Sequence, residues 1–179
     1  CFFGLGCNSF EEGNSEKAAE YFDKYLYFDA DGEFSSEISE LSFYLKLYTD
    51  ISHDNKFLKR SMNNLRKAEK YSLQNNNEKA ISYLYKSISD NPMNIEARNH
   101  LTLLLMEEEL FTRAEYMTNT VNIIDSGDIW GNCLYIYLLS QSKKKALLKQ
   151  ALELLPFRSV NSREELLCIA TTLVIFHKT

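Results

Sequence analysis

Between Ala68 and Val121 the chain repeats itself. The shift that carries Ala80 onto Ala114 also carries Ala68 onto Thr102, Tyr71 onto Leu105 and Ser87 onto Val121. That period is the length of a helix–turn–helix unit, and Pro92, Ala97 and Leu101 fall where such a unit needs its turn and the next first helix. One unit cannot bury its apolar face alone, so units stack. The chain has only six Gly and two Pro, too few to punctuate a set of short strands. The expected fold is therefore all-α, an α-solenoid of helical hairpins with about ten helices.

The pattern extends outward from this centre. A first hairpin runs from Phe3 to Phe28, with Gly13 at its turn and Ala18, Phe22 and Tyr25 on its second helix. Asp29 to Glu33 is a turn: setting Gly32 on the glycine of a calcium loop puts Tyr27 and Ile38 at the outer ligand positions. Ser35 or Ser36 caps a helix with Ile38, Leu41, Leu45 and Tyr48 on one face. The interval from Ala18 to Ala80 falls six short of two periods, so this helix stands outside the regular pairs. The polar connection Ser52-His53-Asp54-Asn55, its His53 read as a solvated loop residue, separates residues 1–51, a hairpin plus extra helix, from 56–179, repeats plus a terminal helix, within one continuous solenoid.

From Lys56 a long helix reaches Gln74, Asn75 to Asn77 make the turn, and Glu78 to Asp90 form the second helix, stopped by Asn91-Pro92. The next pair is Ile95 to Glu108 and Thr112 to Ile124, the latter opened by a capping box of Thr112 and Glu115. Trp130, Cys133, Leu134 and Tyr137 follow the W-x2-L-G-x2-Y spacing of a repeat's first helix. Ala146 follows Ala114 two positions short of a full period, which implies a turn from Ser140 to Lys144 shortened by two. Pro156 ends that pair, and a second capping box, Ser162 with Glu165, opens the last helix. That helix is apolar on two faces, Leu166, Ile169, Leu173 and Phe176 on one and Leu167, Cys168, Val174 and Ile175 on the other, so its outer side needs a cover.

Charge and motifs narrow the function. A net charge of −5 and a pI near 5.3 argue against a nucleic-acid-binding surface, and the only basic run is Lys143-Lys144-Lys145. The four cysteines form no CxxC pair, no run of apolar residues reaches membrane-spanning length, and no HExxH, GxSxG, P-loop or GxGxxG stands in the chain. No enzyme activity, metal or cofactor is expected; a Cys133–His100 dyad is set aside because Cys133 is predicted inward and His100 toward the groove. His177 is placed at a fraying end. A start at Cys1 fits either a lipid-anchored mature protein or a piece of a longer chain, and the reading adopted is cytoplasmic.

The segment from Asn76 to Val121 resembles tetratricopeptide repeats, as do the pairs at 3–28 and 129–155. Lys24-Tyr-Leu26 with Asp31-Gly-Glu33, Ala97-Arg-Asn99 and Ala170-Thr-Thr-Leu173 resemble uncharacterised tetratricopeptide proteins of low-GC Gram-positive bacteria. The resemblance implies a right-handed α-solenoid and a non-enzymatic scaffold that binds a protein or peptide in a concave groove. Aligning Ala80, Ala114 and Ala146 predicts groove residues Arg66, Glu69, Asn99, His100, Leu103, Met106, Asn132 and Tyr135, with Asn99 and Asn132 available to a peptide backbone. The same residues would equally suit an exposed helix side. The co-chaperone carboxylate clamp falls on Met62 and Arg66, Glu96 and His100, and Asp128 and Asn132, where the two acids would repel a carboxylate. Two other functions fit: a peptide-sensing regulatory module, and a unit that self-assembles through its terminal helix.

Overall fold

A computed structural model describes residues 2–52, 55–142, 144–155 and 159–176. Among the described residues it holds ten helices and no strand: α1 (Phe2–Glu11), α2 (Ser15–Phe28), α3 (Ser35–Ser52), α4 (Asn55–Leu73), α5 (Asn77–Asp90), α6 (Ile95–Glu107), α7 (Phe111–Ile124), α8 (Ile129–Gln141), α9 (Lys145–Leu154) and α10 (Arg163–Phe176). They form two compact units, residues 1–94 and 95–179. The polar connection at Ser52 to Asn55 lies inside the first unit, with His53 and Asp54 outside the described residues. Cys1, Lys143, Pro156 and His177 also lie outside them.

In the first unit, α1 pairs with α2, α3 packs on α2, and α4 pairs with α5. Small residues set the crossings. A Cβ on Gly6 would lie 2.4 Å from the ring of Phe22, which is buried against it. Ala68 and Ala80 do the same for α4 and α5, where Ser61 and Ser87 also exchange hydrogen bonds, each hydroxyl donating to the other's carbonyl oxygen at 2.9 Å. Asp23 ties α2 to α3, accepting from Ser42 Oγ and Lys46 Nζ, both at 2.7 Å.

One turn recurs between paired helices. Gly13, Asn75 and Glu109 have φ of 74°, 54° and 59°, and each is followed by the residue that caps the next helix, Asn14, Asn76 or Leu110. The cap's N–H donates five residues back, to Ser9, Tyr71 and Leu105 in turn, so three turns share one hydrogen-bond scheme. The side chains of Asn14 and Asn76 accept from the N–H groups of Lys17 and Lys79. Leu110 has no such group, and the capping box expected at Thr112 is not formed, because α7 already starts at Phe111 and Thr112 sits in its first turn. Leu110→Asn should therefore supply the missing acceptor and raise stability by about 1 kcal/mol, read as a higher urea midpoint. No change in midpoint would count against this account of the turn. The second box does form, one residue wider than expected: Ser162 Oγ accepts from Glu165 N–H, and the Glu165 carboxylate reaches back to Asn161 N–H.

The caps also correct the register of the later helices. Asn76, Leu110 and Lys144 follow one another at the full period, as do the starts of α6, α8 and α10 at Ile95, Ile129 and Arg163. The contraction inferred from Ala146 does not exist. Ala146 is exposed, and its place is taken by Leu148, which packs on the core around Ile129, Cys133, Ile136, Leu155 and Ile169. Leu148 follows Ile136 at the same interval as Ala18 follows Gly6, Ala80 follows Ala68 and Ala114 follows Thr102. A bulkier pair fills a crossing that small pairs close elsewhere.

Candidate functional site

In the second unit α6 pairs with α7, and α8 packs on both. A Cβ on Gly131 would lie 2.6 Å from Val121 Cγ1, so α8 sits hard against α7. Asp128 locks this arrangement through one oxygen: Oδ2 accepts from Gly131 N–H at 2.6 Å, capping α8, and from Asn99 Nδ2 on α6 at 2.8 Å.

Those bonds decide where the sequence candidates stand. Asn99 is only 7% exposed and spends its amide on Asp128; its Oδ1 is buried without a partner among the described residues. Asn132 Nδ2 donates to the carbonyl oxygens of Ser126 and Asp128, holding the turn before α8. Both asparagines therefore serve the scaffold at these bonds. Leu103 is exposed, and His100 and Met106 are half-buried, on the same helix. Tyr135 is half-buried on α8. Arg66 and Glu69 belong to α4 in the first unit, Arg66 exposed beside Lys59 and Met62, and Glu69 half-buried.

The register set by the caps brings other residues of α8 into correspondence with the α6 candidates. Glu96, His100 and Leu103 share one face of α6, and one period on they correspond to Trp130, Leu134 and Tyr137. Trp130 is 46% exposed and Tyr137 42%, matching Leu103 at 42%, with Leu134 buried beneath. At about 100° per residue Tyr135 and Asn132 point well away from Trp130. The signal that could have found this face was the spacing of the turns, counted from Asn76. Under this register the third pair of the clamp becomes Trp130 and Leu134, neither of them cationic.

Behind the face, Cys133 is buried in the core between α8 and α10, with Cys168 packed against it. The Thr172 hydroxyl donates to the Cys168 carbonyl oxygen at 2.8 Å, and a hydrogen bond with Cys168 holds the Cys133 thiol below its ordinary pKa despite burial. The Cys168 thiol is pushed up, first by that bond and then by burial.

Comparison with protein-family models and with curated proteins returns no match. Solved structures do match. The chain is similar to Pseudomonas aeruginosa PilF, with a TM-score of 0.52 at 15% identity over 98% of this chain and 83% of that one. It is also similar to the TPR2AB domain of yeast Sti1 in its complex with pHSP90, with a TM-score of 0.52 at 13% identity over 99% of this chain and 62% of that one. The likeness shows the fold: an all-α helical-repeat solenoid of the tetratricopeptide type.

Proposed function

We propose that the chain is a non-enzymatic scaffold that binds a peptide or protein segment on the face of α6 and α8. The observation that carries this is the aromatic pair Trp130 and Tyr137, exposed on a helix otherwise packed into the core, beside exposed Leu103. Large apolar side chains left in water on rigid helices are the usual anchors of an interface. The Sti1 domain of the same fold is in complex with pHSP90, which supports a binding role for such helices. Trp130 is the only tryptophan, so its emission reports binding directly. Peptides selected from a displayed library should shift that emission with a saturable dependence on concentration; a library yielding no such peptide would count against the reading. The short resemblances to bacterial tetratricopeptide proteins support a bacterial, cytoplasmic setting for the scaffold. Among the described residues no helix is long and apolar enough to cross a membrane.

A second reading rests on α10. It begins one period after α8, and its outer side leaves Leu167, Val174 and Ile175 between 55% and 63% exposed, joined by Leu166 from the face grouped with Ile169, while Cys168, grouped with the outer face, packs on the core. A second copy of the chain, bringing its own α10, would cover this face. Sedimentation should then show mass rising with concentration, and Leu167→Glu with Val174→Glu should hold the chain at monomer mass. A wild-type monomer at high concentration would eliminate self-association.

A further inference from the structure

We infer that a second binding surface lies on the α4–α5 hairpin and takes an acidic segment of a partner protein, rich in Asp and Glu. Helix α4 carries Lys56, Lys59, Arg60, Arg66, Lys67 and Lys70, six of the chain's 20 basic residues, against the single carboxylate of Glu69. The chain as a whole is at −5, so positive charge is concentrated here. Lys56, Arg60, Asn63, Lys67 and Lys70 are spaced by three and four, one stripe along the helix.

Beside the stripe is a hollow of about 500 Å³ lined by Arg60, Asn63, Asn64, Lys67, Tyr83 and Lys86. Lys67 and Lys86 both lie over the ring of Tyr83, at 5.4 and 4.7 Å from its centroid. Two like charges are thus gathered within about a Debye length of each other. Among the described residues neither forms an ion pair. The one acid at the hollow, Asp90, is 5% exposed and already bonded to Arg60 at 2.7 Å and Asn64 at 2.9 Å. It orients Arg60 and leaves no carboxylate to balance the two lysines. A merely solvated surface mixes its signs.

An extended chain of carboxylates fits this surface better than a nucleic acid. Proteins that take single strands offer ring faces for base stacking. Here Tyr71 and Tyr83 stack on each other at 5.5 Å, and Lys79 covers Tyr71 as Lys67 and Lys86 cover Tyr83. The aromatic rings hold the ammonium groups in place, and those groups face the ligand.

The test uses the whole chain and a fluorescent peptide of alternating Glu and Ser, followed by anisotropy at about 0.05 M and about 0.15 M salt. Saturable binding that weakens with salt is expected. Lys67→Glu with Lys86→Glu should cost about tenfold or more in Kd. Lys67→Arg with Lys86→Arg should retain most of it. Lys145→Glu with Lys149→Glu, the same charge change on α9, should leave Kd within about twofold, as should Trp130→Ala with Tyr137→Ala. Helicity is checked by circular dichroism, and Lys67→Gln with Lys86→Gln replaces the reversal if that variant is misfolded. Equal losses from the α4–α5 and α9 reversals, tighter binding of oligothymidylate than of the peptide, or no binding at low salt would each overturn the proposal.

Discussion

Leu105→Ala is expected to lower the unfolding free energy of the second unit by about 2–5 kcal/mol, the cost of a buried leucine whose site cannot collapse around the void. Leu105 is fully buried on α6, and its carbonyl oxygen also accepts the N–H of Leu110 that closes the turn into α7. Truncation leaves that bond to the backbone intact and removes the packing beneath it. Thr102 and Ala114, both fully buried, set the α6–α7 crossing with short side chains that cannot reach into the space. In urea the transition followed by Trp130 emission should move down by about 1 M or more with its slope preserved. Leu147→Ala, on the exposed side of α9, should stay within about 0.5 kcal/mol of wild type. Equal effects from the two substitutions would mean that the buried row on α6 is not what holds the unit together. Tyr71, which the repeat pairs with Leu105, is only half-buried and stacks on Tyr83, so its truncation should cost less.

The central repeat was legible because its small and turn residues are scarce types with narrow uses. Ala80 and Ala114 permit a close crossing, Asn75 accepts a left-handed backbone, and Asn91-Pro92 ends a helix. The register of α8 was not legible in the same way. Leu134, Ile136, Leu138 and Leu139 are all buried, so more than one spacing finds an apolar residue wherever the repeat asks for one. Trp130 and Tyr137 then imitate a signature whose real positions in the core belong to Ile136 and Leu139. A shift of two positions turns a helix by about 200°, enough to exchange its faces, and this brought Asn132 and Tyr135 into the expected groove. The start of α7 carries no local signal either: Leu110 is a poor cap that the preceding left-handed Glu109 puts in place. The basic residues of α4 form no run of consecutive lysines, because they are spread three and four positions apart and only the helix gathers them on one side.

These two assignments of α8 make opposite claims about binding, and that contrast gives the sharper experiment. Trp130→Ala with Tyr137→Ala should reduce the affinity of a library-selected peptide by about 10² or more, since truncating a buried aromatic anchor costs at least about 2 kcal/mol and two lie on one face. Both side chains are more than 40% exposed in the free chain, with Tyr137 edge-on to Phe176 at 6.5 Å, so their removal should lower the urea midpoint modestly and affect stability less than affinity. Asn99→Ala with Tyr135→Ala should behave the other way round. Losing Asn99 takes one of two donors from Asp128 Oδ2 and loosens the tie between α6 and α8, so stability falls, while any loss of affinity tracks that loosening. Asn99→Asp separates the two effects further: it keeps the shape, removes the donor, and sets a second carboxylate against Asp128, which should destabilise more than Asn99→Ala does. A peptide whose affinity is indifferent to Trp130 and Tyr137 but lost with Tyr135 alone would place the ligand on the other side of α8 and refute the face proposed for it.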